Sequence, residues 1–318
     1  MTDSTPRPSS SPLPPDLPPD LPPDLPPDLP IDLPIDLPPD LPIDLPIERL
    51  LEVAREAALA GGETLMRYFR EGVVMRNKSA QGSVPHDLVS DADEESERTV
   101  AAVLRQAFPG HHLLGEEALG KTLDPAACDD LWIIDPLDGT TNFAHSIAHF
   151  AVSIAYYHRG IPVVGVIHDP ARGDWYTAAV GDTARRNGQP VRVSTDTSLS
   201  QALLGCGFYY DRGEMMRCTL RAIEECFGNQ IHGIRRFGTA ALDLCMVGCG
   251  QFGGFFEYRL MPWDYAAGRL FVELAGGRVT TTRGASLGLE PVGLVASNGL
   301  LHDALVDITT RHHPEETR

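Results

Sequence analysis

The sequence has little cysteine, and what it has is not paired. None of Cys128, Cys206, Cys218, Cys226, Cys245 and Cys249 falls in a C-x-x-C. That spacing argues against a zinc knuckle or a dithiol redox site, and a chain of 318 residues needs no disulfide staples. Reduced thiols in a cytoplasmic protein are the expectation, with Cys245 and Cys249 packed inside a helix. Long apolar runs are also missing, so no transmembrane helix is expected. The N-terminus has neither an apolar core of about 7–15 residues nor the basic character of a targeting peptide. Positive charge is scarce too: 26 Lys and Arg face 44 Asp and Glu, a formal net charge of -18. A body of that sign repels nucleic acid and anionic lipid, so direct contact with either is not expected. It equally repels a phosphorylated substrate unless cations stand between them, the first hint of a metal.

The acid is unevenly spread. Residues 1–47 hold nine of the acids and one base, which leaves 35 acids against 25 bases, a net of -10, for the remainder. From about Leu13 to Ile47 the chain repeats Leu-Pro-(Pro/Ile)-Asp, and 17 of the 27 prolines precede Ile47. Proline lacks the N–H that helices and ladders use, and evenly spaced aspartates repel one another. Residues 1–46 are therefore expected to be a disordered, extended Pro/Asp-rich arm that acts as a spacer or as a ligand for a proline-recognising partner.

Folded protein is expected from residue 47 to 318, in halves of about 47–193 and 194–318. Ile47, Leu50, Leu51, Ala54, Ala58, Leu65, Met66 and Phe69 recur at helical spacing, with Gly61-Gly62 weakening the middle. Ser90 and Asp93 fit a capping box ahead of a second helix that ends before Gly110. Strands are predicted over 131–135, 150–157, 163–168, 175–180, 184–186, 254–258 and 292–297. Helices are predicted near 219–226, 239–247, 263–275 and 298–309. Helices and strands mix throughout, which implies a layered α/β or α+β architecture.

Chemistry concentrates in Trp132-Ile133-Ile134-Asp135-Pro136-Leu137-Asp138-Gly139-Thr140-Thr141-Asn142-Phe143. An apolar strand ends in one carboxylate, a second follows three residues on, and a glycine opens a turn whose amides could take a phosphate oxygen. Two carboxylates in an apolar setting repel each other and call for cations or protons. Hard oxygen ligands suit magnesium. Gly115-Glu116-Glu117 follows the apolar run His112-Leu113-Leu114, and Trp263-Asp264-Tyr265-Ala266-Ala267-Gly268 sets a carboxylate at a helix start. Alone, Asp264 reads as a cap and Glu116 as a surface acid.

Together these three segments resemble the signature motifs of the inositol monophosphatase family, in order, from about Ile47 onward. The resemblance implies a sugar-phosphatase-like αβαβα sandwich and Mg²⁺-dependent hydrolysis of a phosphate monoester, with two or three ions and a metal-activated water as nucleophile. It implies that Glu116, Asp135 and the Leu137 carbonyl hold one ion, that Asp135, Asp138 and Asp264 hold another, and that Glu116 touches a third. Thr140 with Glu116 would orient the water, and the Gly139 and Thr140 amides would take the phosphate. Leu137, Asp138, Gly238, Thr239, Ala240, Glu257 and Asp264 would contact substrate, and Lys78, Asp87 and Asp93 would belong to an accessory loop. Between Lys78 and Asp87 the chain is a few residues longer than many relatives. Thr141-Asn142-Phe143 looks closer to the inositol monophosphatase branch than to the 3′-nucleotidases, so myo-inositol monophosphate is the expected substrate. Fructose-1,6-bisphosphate, histidinol phosphate and 3′-phosphoadenosine phosphate are alternatives within the family. A homodimer is the assembly implied by analogy, and a non-catalytic, partner-binding role in RNA transcription is the rival from another class.

Other signals are weaker. Asp135 and Asp138 are three apart, so the Asp-x-Asp of haloacid-dehalogenase phosphatases is absent. Gly248-Cys249-Gly250-Gln251-Phe252-Gly253 matches G-x-G-x-x-G but follows a helix, the reverse of a dinucleotide site. His145 and His149 lack the glutamate of H-E-x-x-H. Arg235-Arg236 reads as a solvated pair at a helix entrance, with substrate contact as the alternative.

Overall fold

A computed structural model describes residues 46–72, 75–77 and 88–314. The repeat arm, Lys78 and Asp87 lie outside the described residues. Helix α1 (Ile47–Glu71) is followed by β1 (Met75–Asn77), β2 (Leu88–Ser90), α2 (Asp91–Ala107), β3 (His112–Gly115), β4 (Asp130–Asp138) and α3 (Thr140–Ala144). Then come β5 (Ala151–His158), β6 (Ile161–Asp169), β7 (Asp174–Ala179), β8 (Arg185–Arg186) and β9 (Gln189–Pro190). The remainder holds β10 (Leu203–Cys206), α4 (Glu214–Gly228), β11 (Gly233–Arg235), α5 (Ala240–Gly248) and β12 (Gly254–Leu260). It closes with α6 (Pro262–Leu274), β13 (Arg278–Thr281), β14 (Val292–Ser297) and α7 (His302–Arg311).

Strands β3 to β9 form a seven-stranded sheet in sequence order, parallel between β3 and β4 and antiparallel elsewhere. A five-stranded sheet has the order β11-β10-β12-β14-β13, with β10 parallel to both its neighbours. Period-2 alternation splits β4 cleanly. Trp132 and Ile134 face a core shared with Leu50, Val53 and Ala57 of α1 and Val100 and Leu104 of α2. Leu131 and Ile133 face Leu242 and Cys245 of α5 and Leu270 and Phe271 of α6. The opposite sides of α5 and α6, through Leu244, Val247 and Val272, meet Phe255 of β12 and Leu294 of β14. On the far side of that sheet, Leu204, Phe256 and Val295 pack on α4 and α7 through Cys218, Ala222, Leu305 and Ile308. The layers therefore run helix, sheet, helix, sheet, helix, as expected. Each large side chain buried in them is worth about 1.5–3 kcal/mol.

Helix α1 runs unbroken through Gly61-Gly62. A Cβ on Gly61 would lie 2.8 Å from Val100 of α2, and one on Gly62 2.8 Å from the His168 ring on β6. The glycines weaken helix propensity, yet they permit the close approach that buries the helix, and packing wins. The Ser90/Asp93 capping box is present at the start of α2. The glycine-rich turn after α5 ends that helix and leads into β12. All six cysteines are free.

His302 ties the fold together at the start of α7. Its Nδ1 lies 2.9 Å from the Ser297 hydroxyl of β14 and its Nε2 2.9 Å from the Thr280 hydroxyl of β13. Burial, then the nearby Arg278 charge, pushes the imidazole down to about 4. In the unfolded chain it titrates near 6.5, so the stabilisation from keeping it neutral is complete above that pH and is lost as the pH falls toward 4. His302→Asn should lower stability at pH 7 and flatten its decline between pH 6.5 and 4 by up to about 3 kcal/mol. Urea unfolding of both proteins across that range checks this, and equal slopes would refute it.

Candidate active site

Strand β4 is the spine of the site. In a regular strand, residues three apart point to opposite faces. The register against β5 instead jumps from Asp135↔Ser153 to Asp138↔Ala151, one residue more on β4 than on β5. This β-bulge at Pro136-Leu137 brings Asp138 back to the side of Asp135. A bulge also tolerates proline, which cannot donate to the ladder. Gly139 then turns the chain in the left-handed region at φ 99°. A Cβ there would sit 2.8 Å from the Thr239 methyl, so glycine meets both demands.

The two aspartates open on a cavity of about 280 Å³, room for a small ligand only. Glu116, just after β3, and Asp264, in the first turn of α6, line the same cavity. Leu137, Gly139 and Thr140 line it next to Gly238, Thr239 and Ala240, and Glu257 lines it as well. The sequence-predicted residues that the structure describes thus converge, with Asp93 lying behind Thr140. The Thr140 hydroxyl is 3.3 Å from Asp93 Oδ1 and 3.1 Å from the Leu137 carbonyl. Asp93 Oδ2 accepts the Ser90 N–H at 2.9 Å and the Ser90 hydroxyl at 2.6 Å.

Backbone donors aim the acids. Leu137 N–H donates to Asp135 at 3.0 Å, Ala241 N–H to Asp138 at 2.8 Å and Met261 N–H to Asp264 at 2.7 Å. Asp264 is therefore a local cap as well as a cavity acid. Burial, then the charges of Glu116, Asp138 and Asp264, raises Asp135 well above the carboxylate range. Burial lifts Asp138 to about 7 against the pull of the Ala241 N–H. Glu257 is raised by burial and then by Asp264, with Arg236 opposing.

Among the described residues, no three His, Cys, Asp or Glu side chains stand at the spacing of a closed metal cage. The carboxylates spread around the cavity, and Asp135, Asp138 and Asp264 are each held by a backbone N–H. Their chemistry nonetheless fits a hard divalent cation: carboxylates and the Leu137 carbonyl, with no thiolate among them. The repulsion that raises Asp135 is what such a cation would relieve.

One face of α2 grips this wall at three points. Asp93 meets Thr140, and the Ser96 hydroxyl donates to the Pro136 carbonyl at 3.0 Å. Glu97, 2% exposed, accepts the N–H groups of Glu117 at 2.9 Å and Ala118 at 2.8 Å, just beyond Glu116. A Cβ on Gly115 would fall 2.2 Å from the Glu97 carboxylate. Sequence reasoning overlooked Ser96 and Glu97, whose targets lie 40 and 20 residues away. It also overlooked Asp243, a buried acid on the cavity wall raised by burial and by Asp138. Of the Arg235-Arg236 pair, Arg236 belongs to the cavity. It is exposed, but it lines the cavity and its charge falls on Glu257 and Asp243. Its position two residues before Gly238-Thr239 was the available signal.

Glu97→Ala would strip two loop N–H groups of their acceptor and should cost about 2–4 kcal/mol, with a smaller loss for Glu97→Gln, which keeps one acceptor. Urea unfolding at pH 7 measures both. An alanine variant as stable as the wild type would refute the grip.

Residues 47–313 match the Inositol monophosphatase family. The chain is 39% identical over 269 residues to the Nus factor SuhB of Pseudomonas aeruginosa, covering 83% of this chain and 97% of that one. It is 38% identical over 258 residues to the inositol-1-monophosphatase of Synechocystis, covering 80% and 86%. The solved structure of inositol monophosphatase from Anabaena superposes with a TM-score of 0.72 at 37% identity, covering 86% of this chain and 99% of that one. A layered fold shared over nearly the whole length of these relatives, with acids gathered on one cavity, leaves one conclusion: the chain belongs to the inositol monophosphatase family and is a phosphoric monoester hydrolase.

Proposed function

We propose that this phosphatase is a cytoplasmic, Mg²⁺-dependent enzyme that hydrolyses a small polyol phosphate, myo-inositol monophosphate foremost, to the free polyol and phosphate. The observation that carries the reading is the meeting of Glu116, Asp135, Asp138 and Asp264 on one small cavity beside the Gly139–Thr140 turn. Glu116, Asp135 and the Leu137 carbonyl would hold one ion and Asp135, Asp138 and Asp264 a second, with Glu116 also reaching a third. The chemistry that bound magnesium supplies is activation of water, screening of carboxylate against phosphate, and stabilisation of the leaving alkoxide.

The protein's own groups supply the geometry. The Thr140 hydroxyl has one proton and two acceptors, Asp93 and the Leu137 carbonyl. With that proton committed inward, its outer lone pair accepts from the attacking water and, with Glu116, turns the water toward phosphorus. The Gly139 and Thr140 N–H groups take phosphate oxygens. Glu257 and Asp138 accept hydroxyls of the polyol, with Leu137 and Asp264 beside them and Gly238, Thr239 and Ala240 lining the same cavity. So few acceptors discriminate modestly between polyols. Fructose-1,6-bisphosphate, histidinol phosphate and 3′-phosphoadenosine phosphate are therefore the competing substrates. The likeness to a protein named Nus factor supports a second reading, in which the fold serves RNA transcription through a partner.

Phosphate release from this panel, with Mg²⁺ and with chelator, tests the proposal. Inositol 1-phosphate should be the best of the four and its turnover should vanish with chelator. Preference for the nucleotide or for histidinol phosphate would overturn the substrate assignment. Asp264→Asn should lower kcat by about a thousandfold, the scale of several kcal/mol lost at a metal centre. A partner-only role would survive that substitution in a complementation assay, whereas a catalytic role would not. Removal of residues 1–46 should leave turnover intact.

A further inference from the structure

Resting on the phosphatase reading, we propose that Arg259, laid on Tyr209, forms an outer anion subsite, so that a second anionic group on the alcohol being released lowers KM. Both residues line the cavity that holds the acid cluster. They follow one another on neighbouring segments: β10 and β12 run parallel, with Cys206 beside Phe256, and the chain beyond β10 continues as Gly207-Phe208-Tyr209-Tyr210. The inner position is full. A Cβ on Gly207 would lie 1.8 Å from Glu257, so glycine clears the space that this carboxylate fills. Further along β12, a second bulge, between Glu257 and Leu260, breaks the alternation. Tyr258 and Leu260 are both 4% exposed, whereas Arg259 between them is exposed to the cavity mouth. Bulges beside active sites commonly re-aim a single side chain in this way.

The guanidinium lies 5.3 Å from the centre of the Tyr209 ring, and the Tyr210 ring stands 5.5 Å from that of Tyr209. An aromatic platform fixes the plane of the cation and leaves its N–H edge free to take two oxygens of one phosphate or carboxylate. The charge is not spent within the protein. Arg236, which lines the same cavity, is the arginine whose charge reaches Glu257 and Asp243. Arg259 makes no ion pair among the described residues. A substrate with two anionic groups could not place both among six cavity acids, Glu116, Asp135, Asp138, Asp243, Glu257 and Asp264. The reacting phosphate belongs at the Gly139 turn, and the second group finds its counter-charge at the rim.

The test compares kcat/KM of the full chain, with Mg²⁺, on inositol 1-phosphate, fructose 1,6-bisphosphate and 3-phosphoglycerate. The last two offer a second phosphate and a carboxylate respectively, so their order tells which anion the subsite takes. At least one of these two should exceed glycerol 2-phosphate, a monoester with no second anionic group, in kcat/KM by about tenfold. Arg259→Gln should collapse that advantage to about twofold or less through KM, and Tyr209→Leu should reduce it in part. An advantage that persists in Arg259→Gln, or that never exists while the monoesters are turned over, overturns the subsite alone. Failure of the wild-type chain to hydrolyse any of the four overturns the phosphatase reading and the subsite together.

Discussion

Carboxylates crowded into a poorly hydrated pocket repel one another, and the rest of this structure is arranged around that cost. Asp135 and Asp138 are almost fully buried, and their neighbours are acids. The protein offsets the repulsion with oriented N–H groups from Leu137, Ala241 and Met261, one for each of three acids. These donors come from three separate segments, so the pocket exists only when the seven-stranded and five-stranded sheets are closed on α5 and α6. Function and fold are linked through the same hydrogen bonds.

Topology decides which acids meet. A single extra residue in β4 converts an i, i+3 pair from opposite faces to one face, and a capping position on α6 supplies the acid opposite. Acids buried together with raised pKa values mark a candidate functional site, and carrying them costs the fold stability. On the function proposed above, cations would relieve that charge and let a phosphate monoester sit beside them.

Much of this was legible in the sequence, for reasons particular to each segment. The long motif around Asp135 is contiguous, so its acids, glycine and threonine could be read together, and the unbroken apolar run from Leu131 to Ile134 placed them at the end of a buried strand. The layered fold followed from helical and strand periods in α1, α2, β5 to β7 and α6. Strands β10, β11 and β13 escaped notice because three or four residues carry too little alternation to stand out. The bulge could not be read from β4 alone, since register is a property of two strands. Glu97 looked like one more acid on a helix rich in them, and Arg236 like half of a solvated pair. In each case the deciding partner is distant in sequence.

Helix α1 appears remote from the chemistry, yet the glycine at its centre touches the machinery. The position a Cβ would take on Gly61 is 3.0 Å from the Ser96 hydroxyl, the same hydroxyl that holds the Pro136 carbonyl between the two aspartates. A bulkier residue there would transmit its displacement through one side chain to the bulge itself. The first helix of the domain is thus a mechanical support of the cavity, two contacts removed from the Asp135–Asp138 bulge.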